Sequence, residues 1–182
     1  EAFKTLKERY PYSKFAILAE IKLADAYYGK KQYAEAAVAY EEFVRLHPRN
    51  EIIPYALYQI GMCHFQQFNG IDREQEETRL AHDAFQRLIQ AFPDSEYAPK
   101  AKKQILECRK RVAAHEFYVA QFYYRRGEYI SVKRRLEALK ETYPDAVAEL
   151  KYEKDIEKML KVAEKELAKG ERKPSIWTRM GM

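Results

Sequence analysis

Residues 23–48 decide the fold: Leu23-Ala24-Asp25-Ala26-Tyr27-Tyr28-Gly29, then Ala36-Ala37-Val38-Ala39-Tyr40-Glu41-Glu42-Phe43, then His47-Pro48. The apolar positions recur at helical period, with Ile17, Ile21, Ala24 and Tyr28 on one run and Val38, Ala39, Phe43 and Leu46 on the next. Pro48 closes the second, because a residue before proline is pushed out of helical geometry. Counted back from Pro48, the first run reads large, small, aromatic (Leu23, Ala24, Tyr27). The second reads small, aromatic, large (Ala36, Tyr40, Phe43). The two runs predict an antiparallel helix pair whose small residues let the backbones approach.

The same offsets return twice. Tyr143-Pro144 closes a segment carrying Val119, Ala120, Tyr123, Val132, Leu136 and Leu139, with Gly127 in its turn. Phe92-Pro93 closes one carrying Ala81, Phe85 and Leu88. Its first-helix set, Ile60, Gly61 and His64, lies eight residues further back than the pattern requires. An eight-residue insertion near Phe68-Asn69-Gly70-Ile71-Asp72-Arg73 accounts for that shift. Any amphipathic bundle explains one such pair; three in series fit the tetratricopeptide (TPR) spacing. The expected fold is all-α, a TPR-type helical solenoid of antiparallel helix pairs, as a single domain over 1–170. It comprises a partial repeat at 1–12, repeats at 14–48, 51–93 and 97–144, and a further helix at 146–169. The third repeat opens with a long helix, since no breaker interrupts the chain between Pro99 and Arg126. Gly170 is a helix stop, and 171–182, which hold the only tryptophan (Trp177), read as an irregular tail.

Composition agrees with a helical array. Only 6 glycines and 7 prolines occur among 182 residues, too few for a collagen or a linker protein. No apolar run approaches the roughly 20 residues of a membrane-spanning helix. No signal peptide is visible, and the chain opens at Glu1-Ala2-Phe3 already in helical pattern, which reads as a trimmed segment.

Catalytic constellations are missing from the sequence. There is no phosphate-binding glycine loop and no His-Glu-x-x-His; His47, His64, His82 and His115 are scattered along helices. Glu41-Glu42 and Glu76-Glu77 read as solvated charges. The expectation is a protein that is not an enzyme and needs no metal or other cofactor. Cys63 and Cys108 are not a Cys-x-x-Cys pair. They occupy similar heights on neighbouring first helices, so a disulfide and two buried thiols both remain open.

Two surfaces offer binding. First-helix positions that line the concave face of a TPR array fall on Tyr28, Tyr55, Tyr58, Phe65, Phe117 and Tyr124. Such a groove is aromatic and suits an extended peptide with aromatic side chains. The competing reading is that these rings pack against neighbouring helices. Charge is also uneven. Residues 1–96 carry 12 basic and 15 acidic side chains, residues 97–140 carry 12 and 4, and residues 141–182 carry 9 and 9. The basic segment includes Arg109-Lys110-Arg111 and Lys133-Arg134-Arg135. Nucleic acid is one reading of such a patch, but no nucleic-acid motif accompanies it, and an acidic protein surface or anionic headgroups match it at least as well.

The stretch Glu116-Phe117-Tyr118-Val119-Ala120-Gln121-Phe122-Tyr123-Tyr124-Arg125-Arg126-Gly127, running on to Tyr143-Pro144-Asp145, resembles the third repeat of the BamD family. These are the TPR lipoproteins of the bacterial outer-membrane β-barrel assembly machinery. The insertion at 68–73 and Glu8-Arg9-Tyr10-Pro11-Tyr12-Ser13 resemble the same family, and the similarity runs to about residue 150. The resemblance implies a scaffold lipid-anchored at the periplasmic face of the outer membrane. It implies binding of the barrel subunit BamA through a POTRA domain. It also implies receipt of the C-terminal targeting strand of unfolded outer-membrane proteins, which ends in an aromatic residue. Other lipoproteins of the BAM complex are further partners, and no nucleic acid is implied. By alignment the POTRA contact falls on Arg135, with Arg134 beside it. The family's lipid-bearing cysteine is not in this stretch, and the region after residue 150 matches only as a helix. A periplasmic TPR adaptor of division or peptidoglycan machinery is the alternative reading.

Overall fold

The computed structural model describes residues 14–68, 70–73 and 75–169; the expectations for 1–12, Gly170 and the Trp177 tail lie outside that range. Every regular element described is helical. In order these are α1 (Lys14–Gly29), α2 (Tyr33–Leu46), α3 (Ile53–Gln66), α4 (Glu76–Ala91), α5 (Ala98–Arg126), α6 (Tyr129–Thr142), α7 (Pro144–Glu149) and α8 (Glu153–Ala168). The chain divides into two compact units. One holds α1 to α4 and the start of α5 up to Cys108. The other holds the described residues of 70–75 and of 109–169.

The first unit is built on small residues at helix contacts. Ala24, Ala36 and Ala81 are fully buried, as their spacing predicts, around Tyr40, Phe43, Leu57, Ile60, Phe85 and Leu88. Gly61 is the tightest of these contacts. A Cβ there would sit 2.5 Å from Cε1 of the buried Phe85 ring, so only glycine allows α3 and α4 to close. The α2 expectation needs correction at two positions. Val38 is 69% exposed and Leu46 44%, because the buried stripe follows Ala36, Ala37, Tyr40, Phe43 and Val44 instead. Cys63 and Cys108 are both buried and are not joined by a disulfide. Burial pushes the Cys63 thiol up to about 12, which leaves it unreactive at neutral pH.

The second unit packs Ala113, Phe117 and Ala120 of α5 against Val132, Leu136 and Leu139 of α6 and Ile156, Met159 and Ala163 of α8. Here the helix expected over 146–169 is two helices. Lys151 takes a left-handed backbone (φ 58), and Tyr152 N–H bonds back to the Val147 carbonyl, which ends α7 and starts α8 in a new direction. The same stop recurs twice. At Lys31 (φ 61), Gln32 N–H bonds the Tyr27 carbonyl; at Gly127 (φ 74), Glu128 N–H bonds the Tyr123 carbonyl. One five-residue hydrogen bond therefore makes three turns, only one of them on a glycine.

Candidate functional site

The six aromatic candidates divide between the units. Tyr28, Tyr55, Tyr58 and Phe65, on α1 and α3, lie together in the first unit, each partly buried against its core. Their rings are largely committed to that core. Tyr58 packs 5.6 Å from both Phe85 and Tyr97, Tyr55 lies edge-on to Tyr40 and Tyr97, and Tyr28 lies edge-on to Tyr33.

At the centre of this aromatic layer sits Asp25 of α1, whose role the sequence does not signal. Its Oδ1 accepts hydrogen bonds from the hydroxyls of Tyr40 and Tyr55, both at 2.7 Å, and its Oδ2 accepts from Lys22 Nζ at 2.9 Å. Gln59 Nε2 donates in turn to the Tyr55 oxygen at 2.9 Å. Burial works against the charged carboxyl, but the bonds from Lys22, Tyr55 and Tyr40 outweigh it and hold Asp25 below the usual carboxylate range. Burial first, then the bond to Asp25, pushes the Tyr40 hydroxyl far up, so it stays a donor at any ordinary pH. Three helices are thereby tied to one carboxylate, and the Tyr55 ring is held in place.

In the second unit, Phe117 is 5% exposed and stacks on Tyr152, with centroids 4.2 Å apart. That corrects its reading as an open groove residue: the Tyr152 ring, just ahead of α8, covers it. Tyr124 remains half-buried. It lines a cavity of about 350 Å3 with Gln121, Arg125, Asp155, Lys158 and Met159.

The basic candidates are also in the second unit, on α6. Arg134 is exposed. Arg135 is 37% exposed and engaged: its Nη1 donates to Glu116 Oε2 at 2.8 Å, and its Cζ lies 5.4 Å from the centroid of the Tyr123 ring. Arg135 is thus a partly exposed cation already held by residues of α5. Glu116, Tyr123, Arg134, Arg135, Ser131, Thr142 and Tyr143 line a cavity of about 470 Å3.

Beyond these, Arg109 clamps the corner between α6 and α7. Its Nε and Nη2 bond the Asp145 carboxylate at 2.8 and 2.6 Å, and Nη2 also donates to the Thr142 carbonyl at 2.9 Å. That bond satisfies a carbonyl at the end of α6, where no helical partner exists. The hydrogen bond from Arg109 holds Asp145 below the usual carboxylate range.

The insertion is tied down at both ends of its described part. The buried Gln75 amide donates to the Gly70 and Arg73 carbonyls at 2.9 and 2.8 Å, and His115 Nδ1 donates to the Ile71 carbonyl at 2.6 Å. His47 and His64 pair with Glu20 and Glu77 across neighbouring helices. His47, His64 and His115 therefore serve helix and loop packing, and among the described residues no three His, Cys, Asp or Glu side chains converge on a metal-sized site.

A family model described as "YfiO: Outer membrane lipoprotein" matches residues 1–173. A protein of Vibrio cholerae serotype O1 named outer membrane protein assembly factor BamD is 30% identical over 158 residues, covering 81% of this chain and 66% of that protein. Its namesake in Neisseria meningitidis serogroup A is 31% identical over 170 residues, covering 84% and 64%. The namesake in Caulobacter vibrioides is 28% identical over 141 residues, covering 78% and 46%. The chain thus spans less than two thirds of the length of these relatives. Across nearly its whole length it belongs to the YfiO family of outer-membrane lipoproteins, the family whose curated members include the BamD assembly factors.

Proposed function

We propose that this chain is a non-enzymatic scaffold of outer-membrane protein assembly, working at the periplasmic face of the outer membrane. The observation that carries the reading is the family match over residues 1–173. In this reading Arg134 and Arg135 dock a POTRA domain of BamA, and the aromatic residues of the first helices receive the C-terminal strand of an unfolded barrel protein. Support for the docking half comes from the Arg135 cavity, where a guanidinium borders open space beside a second cation. A planar guanidinium fork suits a carboxylate on an incoming domain. Support for the cargo half is the aromatic layer, in which Tyr28 and Phe65 keep part of their surface outside the core.

The test is a titration of purified POTRA domain, from BamA of the same species, against wild type and Arg135→Ala. Charge reversal to Glu is the poorer probe, since it sets a second carboxylate against Glu116. The expected loss is about 2–5 kcal/mol, as for removal of one partner from a charged interface pair. Equal affinities would place the docking surface elsewhere.

A further inference from the structure

We infer that Glu116 and Tyr123 are positioning residues for Arg135, which together present a preset guanidinium to a single carboxylate of an incoming protein domain. The inference rests on the docking role proposed above and adds to it how the site is prepared.

Glu116 and Tyr123 stand seven residues apart on α5, two helical turns along one face. Both reach Arg135 on α6: Glu116 by a 2.8 Å bond to Nη1, Tyr123 by a ring whose centroid lies 5.4 Å from Cζ, within cation–π reach. The two contacts restrain different freedoms. The ring sets where the flat group lies, and the carboxylate sets its rotation within the plane. The bond to Glu116 engages Nη1 alone, in a group that has five N–H donors in a rigid fork. The remaining edge is the one a second carboxylate can take bidentately. A long, unrestrained arginine loses rotamer freedom on binding, and a preset one has lost it already.

The charge at the rim supplies the ligand class. Arg134 and Arg135 against Glu116 leave one unit of positive charge around the cavity of about 470 Å3. One carboxylate neutralises it. A dianion would face Glu116 as an uncompensated like charge. Ser131, Thr142 and Tyr143 add hydroxyl-bearing side chains to the lining of the same cavity.

The opposite role for Glu116 makes a clear contrast. If it merely competed for Arg135, removing its charge would tighten binding. The experiment is a titration of the same-species POTRA domain against the full chain and its variants, each checked by thermal melting. Glu116→Ala is expected to bind roughly five- to tenfold more weakly, within the range for coupled neighbours. Glu116→Gln, whose amide oxygen still accepts the bond, should recover most of that loss. Tyr123→Leu should weaken binding in the same direction. In an Arg135→Ala background, Glu116→Ala should add nothing, because its effect passes through the arginine. Binding by Glu116→Ala as tight as wild type, or tighter, overturns the inference. So does a Glu116→Ala loss that persists without Arg135, which would mark a structural role only. In both cases the docking role of Arg135 survives. If Arg135→Ala itself binds like wild type, or wild type does not bind, the docking reading falls and this inference falls with it.

Discussion

The two units use carboxylates in opposite ways. In the first, one carboxylate serves many donors: Asp25, 22% exposed, takes two tyrosine hydroxyls and a lysine inside an aromatic layer. In the second, two carboxylates each serve one arginine at a wet rim, Glu116 with Arg135 and Asp145 with Arg109. A hub inside packed rings leaves several donors unsatisfied when it is lost, so its effect is on stability. A pair at a rim is screened by water and worth little to the fold, but it stays within reach of a partner. The comparison teaches that the aromatic face of the first unit is not read by simple truncation. Tyr55 and Tyr58 are structural supports as well as binding candidates, and their removal disturbs α3 and its neighbours.

The largest expected effect lies at the hub. Asp25→Ala orphans the Tyr40 and Tyr55 hydroxyls and should cost about 3 kcal/mol, since bonds to a charged acceptor contribute roughly 1.5–3 each. Urea denaturation followed by circular dichroism measures it; a loss below 1 kcal/mol would mean that water replaces the carboxylate without penalty. Acid tests the same group. Asp25 titrates lower in the folded chain than in the unfolded one, so its contribution is present above the unfolded value near 4 and is lost as pH falls through the folded value. Wild type should therefore lose stability below about pH 4 more steeply than Asp25→Asn.

A smaller effect is expected at the rim. Arg109→Ala should cost about 1 kcal/mol, because Asp145 is half-exposed even though the bonding is bidentate. The distinguishing measurement is salt. Raising ionic strength to about 1 M shortens the screening length to roughly 3 Å, which should shrink the Arg109→Ala difference and leave the Asp25→Ala difference nearly unchanged. Equal salt sensitivity at both sites would erase the contrast between the units.

Smallest, and opposite in sign, is a turn effect. Lys31 and Gly127 hold the same left-handed conformation with the same backward hydrogen bond, one in each unit. A side chain there costs roughly 1 kcal/mol or more relative to glycine, offset in part by the entropy glycine adds to the unfolded chain. Lys31→Gly should raise stability by a few tenths to about 1 kcal/mol, and Gly127→Lys should lower it. Matched thermal melts decide, and a Lys31→Gly variant less stable than wild type would show that the lysine side chain has a role of its own.

The sequence by itself determined the helical class, the long helix through Arg126 and the alanines buried at helix contacts. Those features follow from spacing within a few turns, which one stretch of chain carries. It also carried the family resemblance through the third repeat and the insertion. It misplaced Val38 and Leu46, since a helix with apolar residues on several sides does not say which side meets a neighbour. It ran α7 and α8 together, since a lysine does not advertise a left-handed turn. It could not separate Arg135 as a surface charge from Arg135 as an anchored one, nor Phe117 as a groove residue from Phe117 under Tyr152. Only the tertiary structure decided those, because the partners are remote in the chain. Asp25 meets hydroxyls 15 and 30 residues away, Glu116 meets an arginine 19 away and Arg109 an aspartate 36 away. Periodicity sets which face of a helix is apolar; only packing of one helix on another selects which polar group on that face finds a partner, and therefore which charge is left for binding.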